Sequence, residues 1–229
     1  MAVFRLDDRF LKPVVFTATG LFLCLAVMYF LPVGIPHKIS FPLIALSMAG
    51  LWLLPWQMLL AVICSAAGDY MGSCGNFLGQ MGFFALAHVW MIIFFIDRYR
   101  RKVEKDGKLT AKAKGFLAMM TFCVGALLVF CLTSITPYAP EGVIRIGTQV
   151  YAVVICAMLV MALLQRSSLY ALGAVLFTFS DFILAWNKFV EPVPYRNYLV
   201  LVSYFLAQWL LFIRATSYRV APEMRIMRF

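Results

Sequence analysis

Gly173-Ala174-Val175-Leu176-Phe177-Thr178-Phe179-Ser180-Asp181-Phe182-Ile183-Leu184-Ala185 places one carboxylate in a run otherwise apolar enough to lie in hydrocarbon. Leu59-Leu60-Ala61-Val62-Ile63-Cys64-Ser65-Ala66-Ala67-Gly68-Asp69 does the same earlier in the chain. An ionised acid at the centre of a bilayer costs roughly 3 kcal/mol even on the mildest scales, so it is seldom present without a task. The task is either to tie helices together by hydrogen bonds or to carry chemistry or ions. Of the ten acids, these two lie furthest from any charged or loop-like segment.

The surroundings of these runs are equally apolar. The chain of 229 residues is 64% hydrophobic and 13% charged, with a mean hydropathy of +0.90. Soluble domains are about half apolar and about a quarter charged, so a soluble globular protein is excluded. One membrane-embedded domain over residues 1–229 is expected, with no room for a separate soluble domain. The charged start, Met1 to Arg9, leads into an apolar stretch longer than a signal peptide carries, which reads as a first span.

By the twenty-residue membrane criterion the fold class is all-α, a polytopic membrane helix bundle of about eight transmembrane helices. The spans run roughly over 13–33, 39–55, 57–71, 76–97, 115–136, 143–164, 168–187 and 197–214. The break between the second and third rests on Pro55. Pro32 and Pro36, Pro137 and Pro140, and Pro192 and Pro194 mark turns.

The net charge of +10 would point to nucleic acid in a soluble protein. Here the basic residues gather in a few loops, and no basic stretch with interleaved aromatics reads as a nucleic-acid surface. With both termini in the cytoplasm, Lys38, Arg145, Lys188 and Arg196 are the four basic residues outside, against sixteen inside. The positive-inside rule therefore predicts N-in, C-in; compact size and short loops suit a bacterial inner membrane better than endoplasmic reticulum, where the same charge rule holds. Six cysteines form no C-x-x-C pair, so neither a disulfide framework nor a zinc site is indicated.

The loop Arg98–Lys114 divides the chain into similar halves. Gly68-Asp69 and Ser180-Asp181 close the third and seventh spans, and Phe84-Ala85-Leu86-Ala87-His88 resembles Phe205-Leu206-Ala207-Gln208. Lys38 and Arg145 stand near the outer starts of spans two and six. This pattern suggests a parallel 4+4 internal repeat about an axis along the membrane normal.

Depth then groups the polar residues. Each Asp falls about 18 Å from the inner surface, and His88 and Gln208 about 12 Å from it, at 1.5 Å per residue in a core about 30 Å thick. Four polar side chains thus share a layer about 6 Å deep, as one polar cavity near the midplane would require. Ser65 shares a helix face with Asp69, Thr178 with Asp181, and Tyr204 with Gln208. Taken singly, His88 and Gln208 read as interhelical hydrogen-bond partners, and Ser65 and Thr178 as bonded back to their own helix. With only two histidines, no three-histidine metal site can be built, and no G-x-S-x-G is present. Two carboxylates remain the chemical pair, and no metal or other cofactor is expected.

At these residues the chain resembles a known family. Ser-Ala-Ala-Gly-Asp at 65–69, Phe-Phe-Ala-Leu-Ala-His at 83–88, the segment 173–181 and Tyr-Phe-Leu-Ala-Gln at 204–208 look like the lysoplasmalogenase family of YhhN-like membrane proteins. Two details depart from the pattern: Lys38-Ile39-Ser40-Phe41-Pro42 stands where Lys-Pro is usual, and Met91 where a tyrosine is usual. The resemblance implies eight spans, no metal, and dependence on Asp69 and Asp181. It also implies hydrolysis of the vinyl ether bond of a lysophospholipid drawn from the membrane, to a fatty aldehyde and a glycerophospho-alcohol. Protonation of the β-carbon and capture of the resulting oxocarbenium ion by water would use one neutral acid and one carboxylate, as paired acids do for sugars. His88 would relay the proton, Gln208 and Tyr204 would position water or the ether oxygen, and Lys38 and Arg145 would meet the lipid phosphate. The competing classes are a proton-coupled small-molecule or lipid transporter and a non-catalytic lipid-binding membrane protein.

Overall fold

The computed structural model describes residues 8–106 and 111–220. Arg5, Lys108, Arg225 and Arg228, all counted in the charge argument, lie outside them. Among the described residues the chain is all-α, with eight α-helices, two short 3-10 turns and no strand. The helices are α1 (Asp8–Phe30), α2 (Phe41–Leu53), α3 (Trp56–Ser73), α4 (Phe77–Asp106), α5 (Ala111–Ser134), α6 (Val143–Leu163), α7 (Ser168–Phe189) and α8 (Arg196–Val220). One 3-10 turn, Lys38–Ser40, leads into α2, and the other, Thr136–Tyr138, lies between α5 and α6.

Six helices, α1 and α4 to α8, are long and apolar enough to cross a membrane. The chain is a multi-pass helical membrane protein. The other two are shorter: 13 residues in α2 and 18 in α3. At 1.5 Å per residue they reach about 20 Å and about 27 Å, short of a core about 30 Å thick. In α3 the apolar run is also diluted by Gln57, Ser65 and Asp69. The element order α, 3-10, α, α, α occurs twice along the chain.

Local chemistry sets the boundaries. Leu54 is extended (φ −95°, ψ 147°), as a residue before proline tends to be, and Pro55 has no N–H to continue α2. Pro42 occupies the first turn of α2, where its missing N–H is no loss. The C-terminal end of α1 is held by Lys38, whose Nζ donates to Leu31 O at 2.7 Å and Val33 O at 3.1 Å.

The helices pack as two compact units. One takes the described residues up to Met91 and from Leu211 onward; the other takes Ile92–Leu210, so α4 and α8 contribute to both. In the first unit α2 packs against α1 and α3, around Phe22, Leu43, Leu46 and Met58. In the second, α6 packs against α5 and α7, around Met158, Tyr170 and Phe177. The turn from α6 to α7 is tied to α4: Gln165 Nε2 donates to Phe95 O at 2.9 Å, and Lys102 Nζ donates to Gln165 O at 2.9 Å. Large apolar side chains such as Phe16 and Phe122 are fully outward, which a soluble surface would not tolerate but a lipid one welcomes.

Candidate active site

The α6–α7 hairpin fixes the surroundings of Asp181. Its connection is short, with Arg166 in the left-handed region (φ 52°), so the two helices run antiparallel in a set register. That register brings Tyr151 level with Asp181, and the Tyr151 hydroxyl donates to Asp181 Oδ2. Thr178, Asp181, Phe182 and Ala185 form one face of α7 at helical spacing. With Tyr151, Ala152 and Ile155 of α6 and Leu127 and Cys131 of α5 they line a cavity of about 50 Å³. A water needs roughly 10–15 Å³ on this measure, so the space admits a few waters or a short piece of a lipid chain.

The cavity is apolar except for its hydroxyls, its two cysteines and this one carboxylate. Thr178 Oγ1 donates to Ala174 O at 2.9 Å, the bond back to its own helix expected of an isolated threonine. All six cysteines are free thiols. Beside α7, Ser180 Oγ donates to Val200 O at 3.0 Å and ties α7 to α8. On α8, Tyr204 packs edge-on against Phe177 with centroids 5.4 Å apart. One turn further on, Gln208 is buried, and its Nε2 has no hydrogen-bond partner among the described residues. An unmade bond at a buried donor costs about 1–3 kcal/mol.

In the first unit the α3–α4 hairpin carries Ser65, Asp69 and His88, with 0%, 2% and 0% of their surface exposed. Two glycines allow the helices to approach. A Cβ on Gly68 would meet the Phe84 ring at 3.0 Å, and one on Gly72 would meet the Gln80 amide at 2.6 Å. These pairings set the register: Ser65 lies level with Ala87–His88, and His88 is about 8 Å further along the axis than Asp69, at 1.5 Å per residue. Side chains lean toward the N-terminus of their own helix. In antiparallel helices, the leanings of Asp69 and His88 shorten that axial gap. Among the described residues Ser65 Oγ is buried without a hydrogen bond, a second orphan polar atom.

The two cations assigned to the lipid phosphate are engaged elsewhere. Lys38 holds the end of α1, as described, and its Nζ lies 5.5 Å from the Tyr29 ring centre. Arg145 donates through Nε to Ala139 O at 3.1 Å and through Nη2 to Pro137 O at 3.2 Å, and Nη1 bonds Glu141 at 3.2 Å. Both therefore organise the connection preceding their own helix. Among the described residues no group of three or more His, Cys, Asp or Glu is placed to hold a metal ion.

Tyr151 was not foreseen from the sequence. A signal existed: folding the chain about the 164–167 turn puts Tyr151 and Asp181 at the same depth. A single tyrosine in a chain with 16% aromatic residues does not stand out otherwise.

Comparison with known proteins adds an independent line. Lysoplasmalogenase TMEM86B of Homo sapiens is 29% identical over 159 residues, covering 68% of this chain and 61% of that protein. The protein of the same name from Mus musculus is 29% identical over 165 residues, 70% of this chain and 63% of its own length. Lysoplasmalogenase TMEM86A of Homo sapiens is 41% identical over 51 residues, 22% of this chain and 21% of that protein. The chain thus spans less than two thirds of the length of the relatives it matches. No solved structure matches. The sequence profile of the YhhN family matches residues 21–215, most of the chain, which therefore belongs to the YhhN family.

Proposed function

We propose that this chain is a membrane-embedded hydrolase of the lysoplasmalogenase kind. It cleaves the vinyl ether bond of a lysoplasmalogen to a fatty aldehyde and a glycerophospho-alcohol such as glycerophosphoethanolamine. The observation that carries the reading is Asp181, a carboxylate with a hydroxyl partner, set in the wall of an otherwise apolar cavity between membrane helices. The relatives named as lysoplasmalogenases support the same reaction class.

A vinyl ether needs that combination. Its carbon–carbon double bond and hydrocarbon tail prefer an apolar wall, while its cleavage needs a proton delivered to the β-carbon and negative charge near the oxocarbenium ion that follows. In low dielectric, a fixed carboxylate stabilises such a cation far more than it would in water. We assign Asp69 and Asp181 as the acid pair. One gives its proton to carbon; the other faces the cation and takes a proton from the water that adds to the α-carbon. The hemiacetal then collapses: the bond to the glycerol oxygen breaks, the carboxyl formed from water's proton protonates the departing alcohol, and the first acid regains its proton from the hemiacetal hydroxyl. His88 assists proton movement, and Ser65, Tyr204 and Gln208 offer polar atoms to water or the ether oxygen.

Purified protein in detergent, with no membrane gradient, should release aldehyde from a vinyl-ether lysolipid and little fatty acid from its acyl ester counterpart. A chelator should leave that rate unchanged. No aldehyde under these conditions would remove the enzymatic reading, since a carrier has nothing to hydrolyse.

A further inference from the structure

The two acids of a cooperating pair must differ, one neutral and one charged. The cavity of the second unit surrounds one of the two, Asp181. Its hydroxyl groups belong to Thr136, Thr148, Thr178 and Tyr151. The three threonines donate to the carbonyls of Leu132, Ile144 and Ala174 on their own chain segments, at 2.6, 2.8 and 2.9 Å. Of the four, Tyr151 directs its hydroxyl at Asp181. Among the described residues no Lys, Arg or His lines the cavity, and of its hydroxyls the phenol is the one that donates to the carboxylate.

A hydroxyl proton aimed at a carboxylate oxygen stabilises negative charge there and fixes the direction in which the second oxygen points. A phenol carries its O–H at the end of a planar ring with few rotatable bonds, so Tyr151, which lines the cavity, presents the donor from a stiff support. We propose that Tyr151 is a positioning residue that holds Asp181 as the carboxylate of the pair, leaving Asp69 to deliver the proton to carbon. The inference rests on the reaction proposed above. In that reaction the Tyr151 proton stays on its oxygen throughout. It supports Asp181 while the carboxylate faces the cation and then receives a proton from water on its other oxygen.

The test uses the full chain with Tyr151→Phe, Asp181→Asn and the double variant, assayed for aldehyde release. Tyr151→Phe should lower kcat about tenfold to a hundredfold, the usual range for removing the partner that orients a functional group, with KM within about twofold of native. In the Asp181→Asn background the same change should do almost nothing, because the group it acts through is gone. Unchanged kcat in Tyr151→Phe, or equal losses with and without Asp181, overturns the proposal. Infrared difference spectroscopy judges the pair without turnover: Tyr151→Phe should shift a carboxylate stretching band, and that shift should vanish in Asp181→Asn. No shift overturns the proposal even if aldehyde is released. A shift in a protein that releases none overturns the reaction while leaving the pair standing.

Discussion

Asp69 and Asp181 stand at corresponding places in the sequence, yet their surroundings are built on opposite plans. Around Asp69 the helices close in. Gly68 and Gly72 bring α4 near enough that a single methyl group would touch Phe84 or Gln80, and Ser65 beside it is wholly buried. Around Asp181 the helices stand apart enough to leave a cavity of about 50 Å³, and a phenol crosses the gap to reach the carboxylate. Tight packing restrains a side chain by contact, whereas a cavity leaves it free to meet a ligand and requires a hydrogen bond to aim it. Two acids in apolar helices are thus set differently: close helix packing beside Asp69, a cavity and a phenol beside Asp181.

The largest effect should come from the acids themselves. Asparagine keeps the shape of aspartate but neither carries negative charge nor gives a proton to carbon. Asp69→Asn and Asp181→Asn should each reduce aldehyde release about 10²- to 10⁴-fold, the usual worth of general acid–base help. The double variant should lose little more than the worse single one. The native pH–rate profile should be bell-shaped, and its two limbs belong to the pair rather than to either residue. Near-normal release from both single variants would end the comparison as a functional one.

Packing offers the next contrast. Gly68→Val pushes a branched side chain into the Phe84 ring and should lower stability by about 1–3 kcal/mol, as overpacking does. Ala185→Val enlarges a residue lining the cavity and should change stability by about 1 kcal/mol or less, while turnover falls as the space fills. Thermal unfolding in detergent reads the first effect and the aldehyde assay the second. Equal destabilisation by both would erase the distinction between a closed and an open surrounding.

The smallest effects belong to the outer ends. Lys38→Met and Arg145→Met each remove donors from backbone carbonyls, worth about 1 kcal/mol for a typical bond. A small drop in unfolding temperature with unchanged KM is expected from the hydrogen bonds both residues make. A raised KM for lysolipid, with stability intact, would return them to the lipid phosphate.

Much of this architecture was legible beforehand because membrane helices obey strong constraints. The eight helices fall where apolar length and proline place them, with the break at Leu54–Pro55, although α4 runs on to Asp106, well past the expected end at 97. The burial of Asp69, His88, Asp181 and Gln208 was legible too, since an acid or amide amid apolar residues must turn away from lipid. What escaped were features that need three dimensions. Tyr151 is ordinary in sequence and acquires its meaning only from the hairpin that faces it to Asp181. Lys38 and Arg145 show in sequence only their place near helix starts, and the backbone carbonyls they donate to appear only in the structure.

The position of the cavity among membrane helices has a consequence for what happens after bond cleavage. On the proposed reaction, one substrate molecule splits into two products with opposite solvent preferences. The aldehyde keeps the whole hydrocarbon chain, and each methylene favours the bilayer by about 0.8 kcal/mol. The glycerophospho-alcohol keeps the phosphate and has no anchor left. Lipid draws one fragment away and water the other, so the two are diluted into separate phases and do not meet again at the site. Phase separation of this kind would drive the overall equilibrium forward without any energy source coupled to the protein.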